Sequence, residues 1–208
     1  MTKIILSAFQ AMLNLYDIEV STPAILSGQH FDYKCCFDEV NFETPRISLV
    51  SSIVAYLFYD YETASLLMET CRPLKENMQQ SMFIVIFYFY DRLITLIKAR
   101  NPNNKEEFIK RIEESIHSLK RFTTNSPENY LNKLHFLLAE LAVIQKKNSE
   151  AESNYQTAIS LSNKNGFVNE EAMAYERYAI FHLELKQQLD AKKMLVQSFH
   201  CYKVNLII

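Results

Sequence analysis

Residues 130–202 read YLNKLHFLLAELAVIQKKNSEAESNYQTAISLSNKNGFVNEEAMAYERYAIFHLELKQQLDAKKMLVQSFHCY, and the spacing of small and large apolar residues in this stretch repeats after forty positions. Ala139, Ala151, Tyr155 and Ala158 recur as Ala179, Ala191, Leu195 and Ser198. In each set a small residue is followed twelve positions on by alanine, then by a large apolar residue four later and a small one three after that. Upstream, Ser52, Ala64, Met68 and Cys71 keep the same order. Small residues at this separation let two antiparallel helices approach closely, and the large side chain fills the gap to the next pair.

This is the spacing of a tetratricopeptide-type helix pair, and it predicts an all-α chain. The expected architecture is a tetratricopeptide-like α-solenoid of about four helix pairs behind a leading helix, wound as a right-handed superhelix. Working outward, the repeat places helices at about 128–146, 149–164, 169–186 and 188–203. Asn165-Gly166 is a helix stop, because glycine takes the left-handed C′ conformation at little cost. Ser126-Pro127 reads as the cap that opens this array. Ile109, Ile112, Ile116 and Leu119 form one apolar stripe on the preceding helix, which Asn104 and Glu107 open as a capping box. A long apolar helix spans about 79–99. Thr44-Pro45 opens a helix through Phe58, and Tyr59-Asp60-Tyr61 turns into a further one that ends near Arg72-Pro73. Ile4 to Tyr16 has helical periodicity, whereas 17–44 reads as an irregular connector. The expected organisation is one helical domain: 1–45 leading helix and connector, 46–123 and 126–203 two helix pairs each, 204–208 a tail.

Composition narrows the class. The 208 residues are 49% hydrophobic, with two glycines and five prolines, too few for the frequent turns of an all-β protein. A net charge of −2 and no clustered basic face argue against nucleic-acid binding. In 98–121 the basic residues alternate with Glu106, Glu107, Glu113 and Glu114, and Glu106 with Lys110 and Glu107 with Arg111 make i,i+4 pairs. Cys35, Cys36, Cys71 and Cys201 are scattered in a chain that needs no staple, which predicts a reduced, cytoplasmic protein. The apolar run Met82 to Tyr90 is well short of the ~20 residues of a membrane span, and Asp91 and Arg92 follow it directly.

Reactive motifs are few. Glycine occurs only at 28 and 166, so neither a P-loop nor a dinucleotide fingerprint can be written. His30, His117, His135, His182 and His200 lack metal-ligand spacing. His30 beside Cys35 and Cys36 is the one compact ligand-like group, and adjacent cysteines are poorly placed to share a tetrahedral ion. His200 and Cys201 point about 100° apart on a helix and do not face one another. The sequence therefore predicts no catalytic, cofactor or metal residues, and no cofactor.

A helical repeat binds most often along its concave face, lined by the first helix of each pair. That face would present Arg46, Leu49, Ile53 and Tyr56, then Lys133, Phe136, Glu140 and Val143, then Met173, Glu176, Ile180 and Leu183. Most are apolar, so other helices could fill the face instead. The competing expectation is a small-molecule or lipid site, in which helix 79–99 and connector 17–44 enclose an apolar cavity lined by Phe83, Phe87 and Tyr90.

A more specific likeness runs through about residues 8 to 203. Glu128-Asn-Tyr-Leu-Asn-Lys, Leu138-Ala-Glu-Leu-Ala, Ala151-x3-Tyr-x2-Ala-Ile-x-Leu, Asn165-Gly-Phe-x2-Glu-Glu-Ala-x-Ala-x-Glu and Phe199-His-Cys-Tyr follow Leu26-Ser-Gly-Gln-His-Phe-Asp, Tyr56-Leu-Phe-Tyr-Asp-Tyr-Glu-x-Ala and Phe87-Tyr-Phe-Tyr-Asp. In this order they resemble the helical region that follows the AAA-type (STAND) signal-transduction ATPase domain of multi-domain sensor kinases, which also carry serine/threonine-kinase-like, GAF and histidine kinase domains. The likeness departs at Asn205, Leu206 and Ile207, where such proteins continue with Trp-Gly-Ala. The resemblance implies a regulatory arm without enzymatic activity of its own. Its partners would be adjacent ATPase, kinase or sensor domains, or a separate signalling protein.

Overall fold

The computed structural model describes residues 10–11, 44–78, 83–100 and 105–205. Among these every regular element is helical, with no strand, and no helix is long and apolar enough to cross a membrane. The leading helix apart from Gln10 and Ala11, the connector with His30, Cys35 and Cys36, and Asn104 lie outside the described residues. The chain divides into two compact units, Met1–Ile97 and Lys98–Ile208.

The first unit contains α1 (Thr44–Leu57), α2 (Tyr61–Cys71), a 3-10 helix (Arg72–Met78) and all but the last residue of α3 (Phe83–Lys98). Helices α1 and α2 pack against one another through small residues. Ser52 and Ala64 have no exposed surface, and the Ser52 hydroxyl donates to the Ala64 carbonyl at 2.8 Å, an approach that a larger side chain would block. Asp60 caps α2 by accepting from the Thr63 N–H at 3.2 Å. Arg72 keeps right-handed helical geometry, but Pro73 brings no N–H to continue the α-helical hydrogen bonds, and the chain tightens into the 3-10 segment. Arg72 then pairs with Asp91 of α3 at 2.8 Å. In α3, Phe87, Phe89, Leu93, Ile94 and Leu96 are buried, as is Arg92, whose guanidinium donates to the Tyr88 carbonyl and lies 4.5 Å from the Tyr88 ring centre. Burial lowers the pKa of Arg92.

The second unit contains α4 (Lys105–Asn125), α5 (Pro127–Ile144), α6 (Asn148–Asn165), α7 (Val168–Glu184) and α8 (Gln188–Asn205). Each helix packs on the next in sequence, most extensively α5 on α6 and α7 on α8. Ile112, Ile116 and Leu119 of the α4 stripe are buried, and Ile109 is half-buried. Ser126 occupies the N-cap of α5, but its side chain makes no capping hydrogen bond, so Pro127 at the first position is what favours the start.

Four turns share one geometry. At Lys146 the N–H bonds the Val143 carbonyl while the Lys147 N–H bonds Ala142, the two bonds of a Schellman motif. Tyr59 with Asp60, Gly166 with Phe167, and Lys186 with Gln187 repeat it. The left-handed residue is glycine only at Gly166, with φ 75°; Tyr59, Lys146 and Lys186 adopt φ near 60° without that freedom. Five residues after each of these three comes a buried alanine: Ala64, Ala151 and Ala191. The alanine N–H closes the first turn of its helix onto Asp60, Lys147 or Gln187.

Of the twelve landmark residues, eleven are buried. Leu195 differs and is 45% exposed, because no described element packs on that side of α8. At the corresponding place on α6, Tyr155 has no exposed surface; its ring stacks on Tyr178 at 5.1 Å and lies 6.1 Å from Phe181.

Candidate functional site, a groove over helix 7

The small contacts that bring α6 and α8 onto α7 leave an open groove of about 720 Å³ between them. Its α6 wall is Glu152, Gln156, Ile159, Ser160 and Asn163; its floor is Glu171, Tyr175, Tyr178 and His182 of α7; its far wall is Gln187, Asp190 and Met194. These positions alternate at helical spacing with the buried landmarks, so the contacts that build the fold also aim the remaining side chains into the groove.

The groove carries three carboxylates and no lysine or arginine among its lining residues. Glu171, buried at the inner end, accepts from Asn163 Nδ2 at 3.1 Å and is hydrogen-bonded to the Cys201 thiol. Burial, the Glu171 charge and that hydrogen bond raise the pKa of Cys201. Tyr178 lies midway along the floor, its hydroxyl accepting from Gln156 Nε2 at 3.4 Å. Burial raises the Tyr178 phenol, the Gln156 bond opposes this, and the charges of Glu152 and Asp190 raise it further, so both carboxylates act on this one ring. His182 stacks against Tyr178 at 4.4 Å and shares a 2.6 Å hydrogen bond with Gln187. Asp190 is hydrogen-bonded by Lys193 at 2.9 Å, and that bond and charge lower its pKa.

Beneath the groove lies a buried ionic cluster. Glu140 of α5 accepts from Arg177 Nε at 2.9 Å and Nη2 at 2.8 Å, from Arg100 Nη2 at 3.3 Å and from the Tyr155 hydroxyl at 2.5 Å. Arg100 also donates to Glu184 at 2.6 Å. Burial alone would raise the Glu140 carboxyl; the Arg177 charge and hydrogen bonds, with Arg100 and Tyr155, outweigh it and hold the pKa at about 2. Tyr155 is pushed well above its usual range by burial and by Glu140. Both Glu140 oxygens are engaged inside the fold, so that charge serves α5, α6 and α7, while Arg100 Nε is left without a hydrogen-bond partner.

The positions expected on a concave face divide by burial. Leu49, Tyr56, Lys133, Phe136, Glu140 and Met173 are buried. Lys133 pairs with Glu170 at 2.8 Å and lies over the Phe167 ring at 4.1 Å. Arg46, Ile53, Val143, Glu176 and Ile180 are half-buried, and Leu183 is exposed. Arg46 lies 5.8 Å from the Phe83 ring centre, Glu176 accepts from the Tyr202 hydroxyl at 3.1 Å, and Val143 borders a 280 Å³ hollow with Arg100 and Glu184. Of the residues expected to enclose an apolar cavity, Phe87 is buried, and Tyr90 packs edge-on against Tyr56 at 5.7 Å. His200 is exposed, and among the described residues no group of three or more His, Cys, Asp or Glu is placed to hold a metal ion.

Sequence reasoning missed the groove, because its lining is polar residues from three helices with no common motif. Forty positions away Glu152, Glu171 and Asp190 correspond to Lys192, Leu131 and Glu150, so the repeat carried no signal for this acidic lining. In comparisons with known proteins the chain matches no family model, no curated protein and no solved structure.

Proposed function

We propose that this chain is a tetratricopeptide-like helical repeat module that works by protein–protein or interdomain contact, without enzymatic activity, and that the groove over α7 holds a basic segment of its partner. The recurring Schellman turn followed five residues on by a buried alanine supports the repeat reading, because it reproduces one helix-pair unit three times. The observation that carries the binding reading is the charge of the lining. Glu152, Glu171 and Asp190 face the groove from three helices and no lysine or arginine lines it, although Lys193 pairs with Asp190, and this acidic lining attracts a lysine or arginine side chain. The resemblance of residues 8 to 203 to the helical arm of multi-domain sensor kinases makes intracellular signalling the context, with an ATPase, kinase or sensor domain as the partner that supplies the segment.

The test is fluorescence anisotropy on the intact chain with labelled peptides that differ only in having lysine and arginine, glutamine or glutamate at the same positions. The basic peptide binds, its affinity falls as salt is raised, and Glu152→Gln with Asp190→Asn weakens it by about tenfold. Equal binding of the three peptides, or no binding at roughly 100 µM, which corresponds to about −5 kcal/mol, overturns the proposal.

A further inference from the structure

Helix α8 carries an apolar strip on the side that α7 does not cover: Leu189 is 78% exposed, Leu195 45%, Val196 43% and Phe199 63%. Lys192 and Lys203 are exposed on the same strip, since all six positions fall within one third of the helix circumference. No acidic residue interrupts it. The one acid of the helix, Asp190, belongs to the groove and is hydrogen-bonded to Lys193.

The fold contains its own template for what such a strip receives. Forty positions earlier, Leu195, Phe199 and Lys203 correspond to Tyr155, Ile159 and Asn163 of α6. There α7 runs antiparallel along the face. Glu171 in its first turn takes the Asn163 amide at 3.1 Å, and seven and ten residues later Tyr178 and Phe181 lie on Tyr155. On α8 the same place holds lysine instead of asparagine, so a carboxylate opposite it would make an ion pair where α6 makes an amide contact. A second copy of α8 fits poorly, because its own strip offers only lysines to Lys192 and Lys203.

We propose that the Leu195–Phe199 strip of α8 docks an amphipathic helix of a partner protein. That helix lies antiparallel to α8, with a carboxylate opposite Lys203 and two aromatic side chains, seven and ten residues after the carboxylate, against Leu195 and Phe199. This deepens the contact-module reading by naming the partner element at a second face, and it does not depend on the groove.

The probe is a synthetic peptide with the α7 sequence, residues 168–184, which carries the carboxylate and both aromatic residues at this spacing. It is titrated into the intact chain by calorimetry and by anisotropy. The peptide binds in the micromolar range, and Phe199→Ser or Leu195→Ser weakens it by about tenfold or more. Lys203→Glu weakens the same peptide, and changing the peptide carboxylate to lysine restores it. All three variants are at exposed positions, and unchanged circular dichroism shows that they remain folded. Absence of binding, or binding indifferent to Phe199 and Leu195, overturns the proposal. So does a chain dimer in light scattering that Phe199→Ser dissolves, since the strip would then serve a second copy. The basic peptide of the groove is measured on the same variants: if it still binds while the α7 peptide does not, the strip proposal alone has failed.

Discussion

Arg177 of α7 grips Glu140 of α5 with two parallel hydrogen bonds, Nε to Oε1 at 2.9 Å and Nη2 to Oε2 at 2.8 Å, in a site where both side chains are almost fully buried. The pair joins the first helices of two successive helix pairs, and Tyr155 of α6 completes it through its hydroxyl. Removing one member of such a pair strands a buried charge.

Arg177→Met is therefore expected to lower stability by about 3–5 kcal/mol in urea denaturation followed by circular dichroism. The double variant Arg177→Met with Glu140→Leu recovers much of that loss, because no unpaired carboxylate is left. A double variant as unstable as Arg177→Met alone would show that packing, and not charge, dominates the site.

The same carboxyl makes stability depend on pH in a definite direction. Its folded pKa of about 2 lies below the ordinary value of 4.5, so the folded state binds the proton less readily than the unfolded chain. The stabilisation is fully present above pH 4.5 and is lost as pH falls through the folded value near 2. Urea midpoints measured across that range drop more steeply for the wild type than for Glu140→Gln. Equal slopes would assign the acid sensitivity to other carboxylates.

Three of the four Schellman turns place a side chain in the left-handed region. Lys146→Gly and Lys186→Gly relieve this and are expected to raise stability by roughly 0.5–1 kcal/mol each, the loss of αL strain exceeding the added freedom of the unfolded chain. At Gly166 a Cβ meets no atom within 4 Å, so Gly166→Ala destabilises through φ 75° alone, by about 1 kcal/mol. Thermal melts of the three variants check the two signs.

Tyr155 and Leu195 hold equivalent places in the repeat but different environments. Tyr155→Ala removes a buried ring and the hydroxyl bonded to Glu140, at a cost of about 3–5 kcal/mol. Leu195→Ala, at a largely exposed position, stays within about 0.5 kcal/mol. Comparable losses at both would mean that α8 is covered on that side.

The alanine landmarks and the Asn165-Gly166 stop were legible because helix packing constrains size at fixed intervals, and size is written in the sequence. The breaks at Tyr59, Lys146 and Lys186 were placed as well, but their left-handed geometry was not legible, since the turn forms there without glycine and its hydrogen bonds use only backbone. Glu140 was placed on the expected concave face, open or filled, because alanine spacing fixes which helix side a residue occupies. It says nothing of the Arg177 and Arg100 side chains that arrive from 37 and 40 positions away. Ser126 had the right type for a cap but not the geometry, and Pro127 alone carries that helix start.

Cys71 sits between α1 and α2 with no exposed surface, its thiol pushed up to about 12 mainly by burial and hydrogen-bonded to the Leu67 and Pro45 carbonyls. An alkylating reagent needs a thiolate, so this sulfur stays silent until the two helices part. Its rate of labelling, followed by mass spectrometry of the fragment that contains it, becomes a built-in clock for the breathing of one helix pair.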